Sequence, residues 1–229
     1  MTFSLAGRCA RTGMLGAVVT TSSIAVGSRC PFAAAGIGAA LTQNMTDPRL
    51  GPLALDLLKR GFSAPNVIEA LKAATPRSDS RQLAMIDREG RTASFTGTSC
   101  KPEIGDAHGR DCVAIGNIVR SAEVPAAMVR AFEADPKAHL AARLVAALKA
   151  GDEAGGEFKP LVSTALIVAH REAFPYVDLR VDSDPDPITT LARLWLEYEP
   201  VAEMYLARAV DPDSVITPAQ SAAGTQERG

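Results

Sequence analysis

The sequence predicts an α+β fold, a four-layer αββα sandwich in which two mainly antiparallel sheets lie face to face with helices on both outer sides. Three observations predict it. Hairpins of short apolar strands come in blocks separated by pairs of amphipathic helices, instead of strand and helix taking turns as in a parallel sheet. The order is strands, two helices, strands, two helices, strands, helix, with no internal repeat beyond that loose duplication. The 229 residues are 47% hydrophobic, ample for the buried core that two packed sheets require.

The opening hairpin joins an apolar strand over residues 3–9 to a β-branched one over 15–21 through the turn Arg11-Thr12-Gly13. A third strand is expected over 36–42, where Gly and Ala alternate with Ile37 and Leu41 and imply close approach of a packed layer or ligand. The polar run Gln43-Asn44-Met45-Thr46-Asp47-Pro48 ends it. Helical spacing follows in Leu50, Leu53, Leu57 and Leu58 before Gly61. A second helix has Ser63 as its N-cap and Val67, Ile68, Leu71 and Ala74 on its apolar face. A second hairpin pairs 82–87 with 91–95 around Arg88-Glu89-Gly90, a loop covers 96–110, and 112–119 is another strand. Helices over 124–134 and 138–150 close on a Gly-rich stretch at 151–156. Strands at 163–170 and 176–181 precede an acidic turn and a helix that starts near Pro187 and continues or breaks at Pro200. The expected domain is 1–210, with 211–229 as a flexible tail.

Acidic residues number 26 and basic ones 24, and no Lys/Arg stripe interleaves with aromatics, so nucleic acid is not an expected partner. Cys9, Cys30, Cys100 and Cys112 form no C-x-x-C pair and suggest no disulfide framework. Cys100 and Cys112 enclose Glu103, Asp106 and His108, but that spacing fits no zinc ribbon or finger, and no metal or other cofactor is expected. The apolar stretch 14–27 has the look of a signal-peptide centre, yet it holds four consecutive hydroxyl residues, which suit a hairpin core better. No run of about eighteen apolar residues exists to span a membrane, so a cytoplasmic protein without membrane contact is expected. G-x-S-x-G, P-loop, dinucleotide and H-E-x-x-H motifs are absent, and His108, His139 and His170 are scattered, which leaves a Ser-His-Asp enzyme unsupported.

Chemistry therefore has few places to reside, and the first is Thr2. Removal of Met1 leaves one residue carrying both a hydroxyl and a free α-amine, a nucleophile and its base together. The same residue also reads simply as a small side chain that permits removal of methionine. In an antiparallel hairpin the end of the second strand lies beside the start of the first, so Thr20, Thr21, Ser22 and Ser23 should face Thr2. Ser22 is the candidate proton relay, and Thr21 and Ser23 are candidate substrate contacts, against the alternative of a Ser/Thr-rich strand exit. Gly116 and Asn117 interrupt an apolar strand; the glycine permits close approach and the Asn117 amide can donate to an oxyanion, or the pair is a bulge with a satisfied amide. Gln43, in a loop expected to shape the pocket, and Ser163, opening a late strand, are further substrate-binding candidates. Asp178 and Arg180 share one strand face and are suited to a substrate carboxylate or hydroxyl, or to a structural ion pair.

Several short segments recur in order: Met1-Thr2-Phe3-Ser4, Ile24-Ala25-Val26-Gly27-Ser28, Thr42-Gln43 with Asp47-Pro48, Gly51-Pro52, Phe95-Thr96-Gly97, Gly116-Asn117, Gly155-Gly156, Tyr176-Val177-Asp178-Leu179-Arg180-Val181-Asp182 and Asp186-Pro187. On these the chain resembles a bacterial and archaeal domain family of unknown function assigned to the N-terminal-nucleophile (Ntn) hydrolase superfamily. The resemblance implies the αββα fold and Thr2 as nucleophile after loss of Met1, cleaving a small amide or peptide substrate through an acyl-enzyme ester. It also implies oxyanion or substrate contacts at Gly116 and Asn117. A proteasome-like threonine enzyme has a lysine near its nucleophile, whereas the first lysine here is Lys59, so the α-amine itself must carry the proton. The competing expectation is a catalytically silent Ntn-fold protein that binds a small ligand or partner. The apolar helices near Trp195 and Tyr205 fit a homo-oligomer contact and core packing equally well.

Overall fold

Strand β1 (Thr2–Arg8) is buried on both faces because helices cover one side and a second sheet covers the other. The structure, a computed structural model, describes residues 1–101 and 103–215 and divides into the units Met1–Trp195 and Leu196–Gly229. The first unit continues with β2 (Leu15–Thr21), β3 (Pro31–Ala34), β4 (Gly38–Asn44), helices α1 (Leu50–Lys59) and α2 (Ala64–Ala74), and β5 (Arg81–Asp87). Then come β6 (Thr92–Thr96), β7 (Ile104–Gly109), β8 (Cys112–Asn117), α3 (Glu123–Ala134), α4 (Leu140–Glu153), β9 (Ser163–Ala169) and β10 (Val177–Val181). Helix α5 (Pro187–Tyr198) follows.

One sheet has six strands in the order β10-β9-β2-β1-β8-β7 and the other four in the order β3-β4-β5-β6; every pairing is antiparallel. Helices α3 and α4 cover the six-stranded sheet, and α1 and α2 cover the other, which completes the αββα sandwich. The layer between the sheets is built from small and branched side chains: Ala6, Ala17, Val113 and Ile115 on one side, Ala39, Leu41, Ala84 and Ile86 on the other. The outer face of the four-stranded sheet, with Ala40, Leu83 and Met85, packs on Leu50, Ala54, Leu58, Val67, Ile68 and Leu71 of α1 and α2. Burial of this kind is worth about 25 cal/mol per Å² of apolar surface. At Gly7 of β1 a Cβ would lie 2.6 Å from the Phe132 ring of α3, so glycine is what lets that helix seat on the strand.

The structure departs from the sequence-based expectation at several elements, each for a physical reason. Residues 104–109, expected within a loop, form β7; its sequence Ile-Gly-Asp-Ala-His-Gly lacks the β-branched run of an interior strand because it lies on a sheet edge. Strand β3, another edge, is hidden by its proline and alanines. Strand β4 runs two residues later than expected and so includes Gln43, a buried strand residue and not a turn former. On α1 the inward face is Leu50, Gly51, Ala54 and Leu58, while Leu53 is exposed. The Ser63 side chain makes no capping bond; the α2 N-terminus is capped instead by buried Asp87 from β5, whose Oδ2 accepts from Ala64 N at 3.1 Å. Helix α4 runs through Gly151, where Met128 and Phe3 press too close for a Cβ. Strand β8 stops at Asn117, and Ile118 takes a left-handed φ of 52°.

In the second unit, a 3-10 turn containing Pro200 precedes α6 (Ala202–Val210), so the helical run breaks where the sequence offered a break. Tyr198 and Tyr205 stack with ring centroids 6.0 Å apart. Residues 212–215 form a further 3-10 turn; the rest of the expected tail, 216–229, lies outside the described residues. Among the described residues no helix is long and apolar enough to cross a membrane, and no three His, Cys, Asp or Glu side chains are gathered as a metal site would need.

Candidate active site

Alternation along β1 sends Thr2, Ser4 and Ala6 toward the facing sheet, while Phe3 and Leu5 turn to the helices. The register sets Thr2 opposite Asn117 of β8, and the β1–β2 pairing, with Phe3 opposite Thr20, sets Thr2 beside Thr21. The Oγ1 atoms of Thr2 and Thr21 are 3.4 Å apart. Both hydroxyls reach the Met1 carbonyl oxygen, Thr21 donating at 2.5 Å. Thr2 and Thr21 are 7% and 3% exposed, which leaves the hydroxyl pair nearly dry.

A polar network from the four-stranded sheet holds this end of β1. Ser4 Oγ donates to Gln43 Oε1 at 2.8 Å, and Gln43 Nε2 donates to Gln82 Oε1 at 2.7 Å and reaches the Thr2 carbonyl at 3.5 Å. Gln82 Oε1 also accepts from Asn117 Nδ2 at 3.0 Å, and Gln82 Nε2 donates to the Gly116 carbonyl at 2.9 Å and to Thr96 Oγ1 at 3.1 Å. Ser4, Gln43, Gln82 and Asn117 are all fully buried, so these bonds replace water completely. The Asn117 side-chain oxygen, on the residue opposite Thr2 in the register, is buried without a partner among the described residues. Gln82→Ala strands Gln43, Asn117 and the Gly116 carbonyl together. Because a buried unsatisfied group costs about 1–3 kcal/mol, and water entering the vacated space re-pairs some of them, a loss of roughly 2 kcal/mol is expected. Urea unfolding measures it, and an unchanged midpoint would show that the network does not hold the sheets.

The sequence reading missed Glu157. Gly155 and Gly156, with φ of 133° and 57°, turn the chain out of α4, and Glu157 then bridges to Val119 just past β8. The residue is 4% exposed; Oε2 accepts from the Ser22 amide at 3.0 Å and Oε1 is buried without a partner among the described residues. Burial pushes the carboxyl up to about 7, against the Ser22 hydrogen bond and the chain's terminal amine, both of which favour its charged form. Burial in turn lowers the amine, while the Glu157 charge holds it up and Lys101 and Lys159 push it down. Glu157 also lines an open cleft of about 370 Å³ with Arg120, Asp152, Lys159 and Ile188. A lone glutamate after two glycines carries no periodic signal, so only the return of the chain to Ser22 reveals it.

The remaining candidates fall into two groups. Ser22 meets Glu157 through its backbone amide; Ser23 Oγ lies 3.5 Å from Thr21 Oγ1 and accepts from Arg29 at 2.7 Å. Gln43, Gly116 and Asn117 belong to the network around Thr2. Ser163 pins the loop after β2, donating to the Ser23 carbonyl at 2.6 Å and accepting from Val26 N at 3.0 Å. Asp178 and Arg180 pair with each other at 2.9 and 3.1 Å on β10, which β9 and β2 separate from β1. The Arg180 stem lies against Gly27. Burial raises the Cys30 thiol to about 11 and Cys112 to about 12, so neither offers a thiolate at neutral pH.

The fold is that of a four-layer αββα protein whose first strand begins in a buried cluster of hydroxyls and amides. The chain belongs to DUF1028, a family of unknown function, whose family model matches residues 2–191. It is similar to a Silicibacter pomeroyi protein of that family with a crystal structure, at 30% identity and a TM-score of 0.80, over 86% of this chain and 85% of the other. Anbu, an ancestral beta-subunit from Yersinia bercovieri, aligns over 89% of this chain and 96% of its own at 12% identity and a TM-score of 0.41, a likeness too low to carry an argument. No curated protein matches the chain at a significant level.

Proposed function

We propose that the protein is an Ntn-type hydrolase of a small amide or peptide bond, with Thr2 as its nucleophile once Met1 is removed. The observation that carries this reading is the buried pair of hydroxyls, Thr2 and Thr21, converging on the Met1 carbonyl oxygen. Loss of Met1 vacates that position for a substrate carbonyl and frees the Thr2 amine. Thr2 Oγ1 then attacks the carbonyl carbon and its proton passes to the Thr2 amine, directly or through water. The tetrahedral oxyanion collapses as the substrate's leaving amine takes the proton. Water hydrolyses the resulting ester and restores Thr2. In this reading Thr21 hydrogen-bonds the oxyanion, supported by its hydroxyl lying 3.4 Å from Thr2 Oγ1, and the buried network aligns the strands that carry Thr2 and Asn117. Glu157, a buried carboxyl whose charge acts on the terminal amine of the full chain, is the candidate to exchange protons with the Thr2 amine in place of the lysine that the early strands lack.

One observation favours the alternative, a catalytically silent scaffold that binds a small ligand: the Met1 carbonyl already satisfies both hydroxyls. Intact-mass spectrometry of native protein, followed by a threonine-reactive electrophile, separates the two. The hydrolase reading expects a mass lower by one methionine residue and a single adduct on Thr2. Full retention of Met1, or a mature chain that takes no adduct, would sink it in favour of the scaffold.

A further inference from the structure

At the other end of β1, three connections meet: the turn between β1 and β2, the turn between β7 and β8, and the link from α3 to α4. They enclose a cleft of about 370 Å³ lined by Arg8, Arg11, Arg110 and Arg143, with only Asp111 and Glu133 as acidic residues. Four arginines against two carboxylates leave the lining with a net charge of +2. We propose that this cleft binds a small ligand through a phosphate group, as the free anion or as a phosphomonoester. The site is independent of the proposed hydrolase reading, since β1 spans about 20 Å between Thr2 and Arg8.

Arg143 carries the inference. It is 7% exposed, its guanidinium carbon sits 3.8 Å from the Phe132 ring centroid, and its Nε donates to the Phe132 carbonyl at 3.0 Å. These two contacts hold the guanidinium plane in place, while its two terminal nitrogens have no hydrogen-bond partner among the described residues. An anion in the cleft would give those nitrogens the charge-assisted partners they lack. Among the described residues neither carboxylate of the cleft forms an ion pair with Arg143. Asp111 is taken by Arg8 at 2.6 Å, and Glu133 accepts from the Arg110 backbone amide. Arg11 donates one terminal nitrogen to the Lys137 carbonyl at 3.0 Å, and the Arg110 side chain has no partner among the described residues. The planar forks of Arg11, Arg110 and Arg143 suit the oxygens of a phosphate, whose charge near −2 matches the excess.

Calorimetry and thermal unfolding of the full chain, with inorganic phosphate against chloride at equal ionic strength, test the site. A saturable heat and a rise in Tm are expected. Arg110→Ala and Arg11→Ala, both exposed positions, should each weaken phosphate about tenfold, the loss of roughly one charge-assisted contact. Arg143→Met should abolish binding, and because that variant also disturbs a buried contact, the two exposed variants decide the matter if it fails to fold. A simple phosphomonoester that binds more tightly than inorganic phosphate marks a phosphorylated small molecule as the ligand; equal binding marks the free anion. Absence of saturation in wild type, unchanged affinity in the Arg11→Ala, Arg110→Ala double variant, or tighter binding of citrate than of either phosphate would overturn the proposal.

Discussion

Thr2→Ala is expected to lower kcat/KM by on the order of 10⁴-fold or more on any amide that the wild type cleaves, because it deletes the attacking oxygen. The fold should survive. Among the described residues the Thr2 hydroxyl bonds to Thr21 and the Met1 carbonyl alone, so its loss is worth about 1 kcal/mol. Alanine is small enough to permit removal of Met1, so a dead Thr2→Ala chain that has lost its methionine isolates the missing hydroxyl from a processing defect. Thr2→Ser keeps both amine and hydroxyl and should retain part of the activity and the electrophile adduct. The decisive measurement is turnover by the mature alanine variant, and activity equal to wild type would remove Thr2 from the mechanism.

Glu157→Gln is expected to stabilise the protein at pH 8 and to flatten its stability between pH 4.5 and 7. The carboxyl titrates at about 7 when folded against 4.5 in the unfolded chain. Throughout that window the folded state holds a proton that the unfolded state has released. Stability from this group is therefore full below about pH 4.5, falls as pH rises, and is gone above about 7, a total of about 3 kcal/mol. Glutamine is close in shape and never ionises, so it escapes the loss while it can still accept from the Ser22 amide. Arg120 and Asp152, which share the cleft, are present in both proteins, so the difference between the two urea-denaturation pH profiles reports Glu157 together with the terminal amine that its charge holds up. Parallel profiles would mean that the Glu157 side chain is hydrated and not held dry against Ser22.

The sequence by itself determined the alternation of strand blocks with helix pairs and that the hydroxyl run ending β2 lies near Thr2, although Thr20 pairs with Phe3 and turns to the Ser163 carbonyl. Period-2 alternation and the turn Arg11-Thr12-Gly13 are local and bring the run Thr20 to Ser23 near Thr2, while the register of the paired strands selects Thr21. Helices α1 to α5 were legible because apolar residues at helical spacing report one buried face, whereas β3 and β7 were hidden because edge strands carry alanine, proline and charge where an interior strand carries valine or isoleucine. The tertiary structure alone decided the rest of the site. Asn117 meets Thr2 through a strand pairing that spans more than a hundred residues, and from the facing sheet Gln82 reaches Asn117 while Gln43 reaches the Thr2 carbonyl. A buried glutamine looks like any surface glutamine in a hydropathy pattern, so the network of Ser4, Gln43, Gln82 and Asn117 emerges only when two sheets close over it. Glu157 and the arginine cleft have the same origin. A charge acquires its chemistry from what surrounds it, and those surroundings come from segments that are distant along the chain.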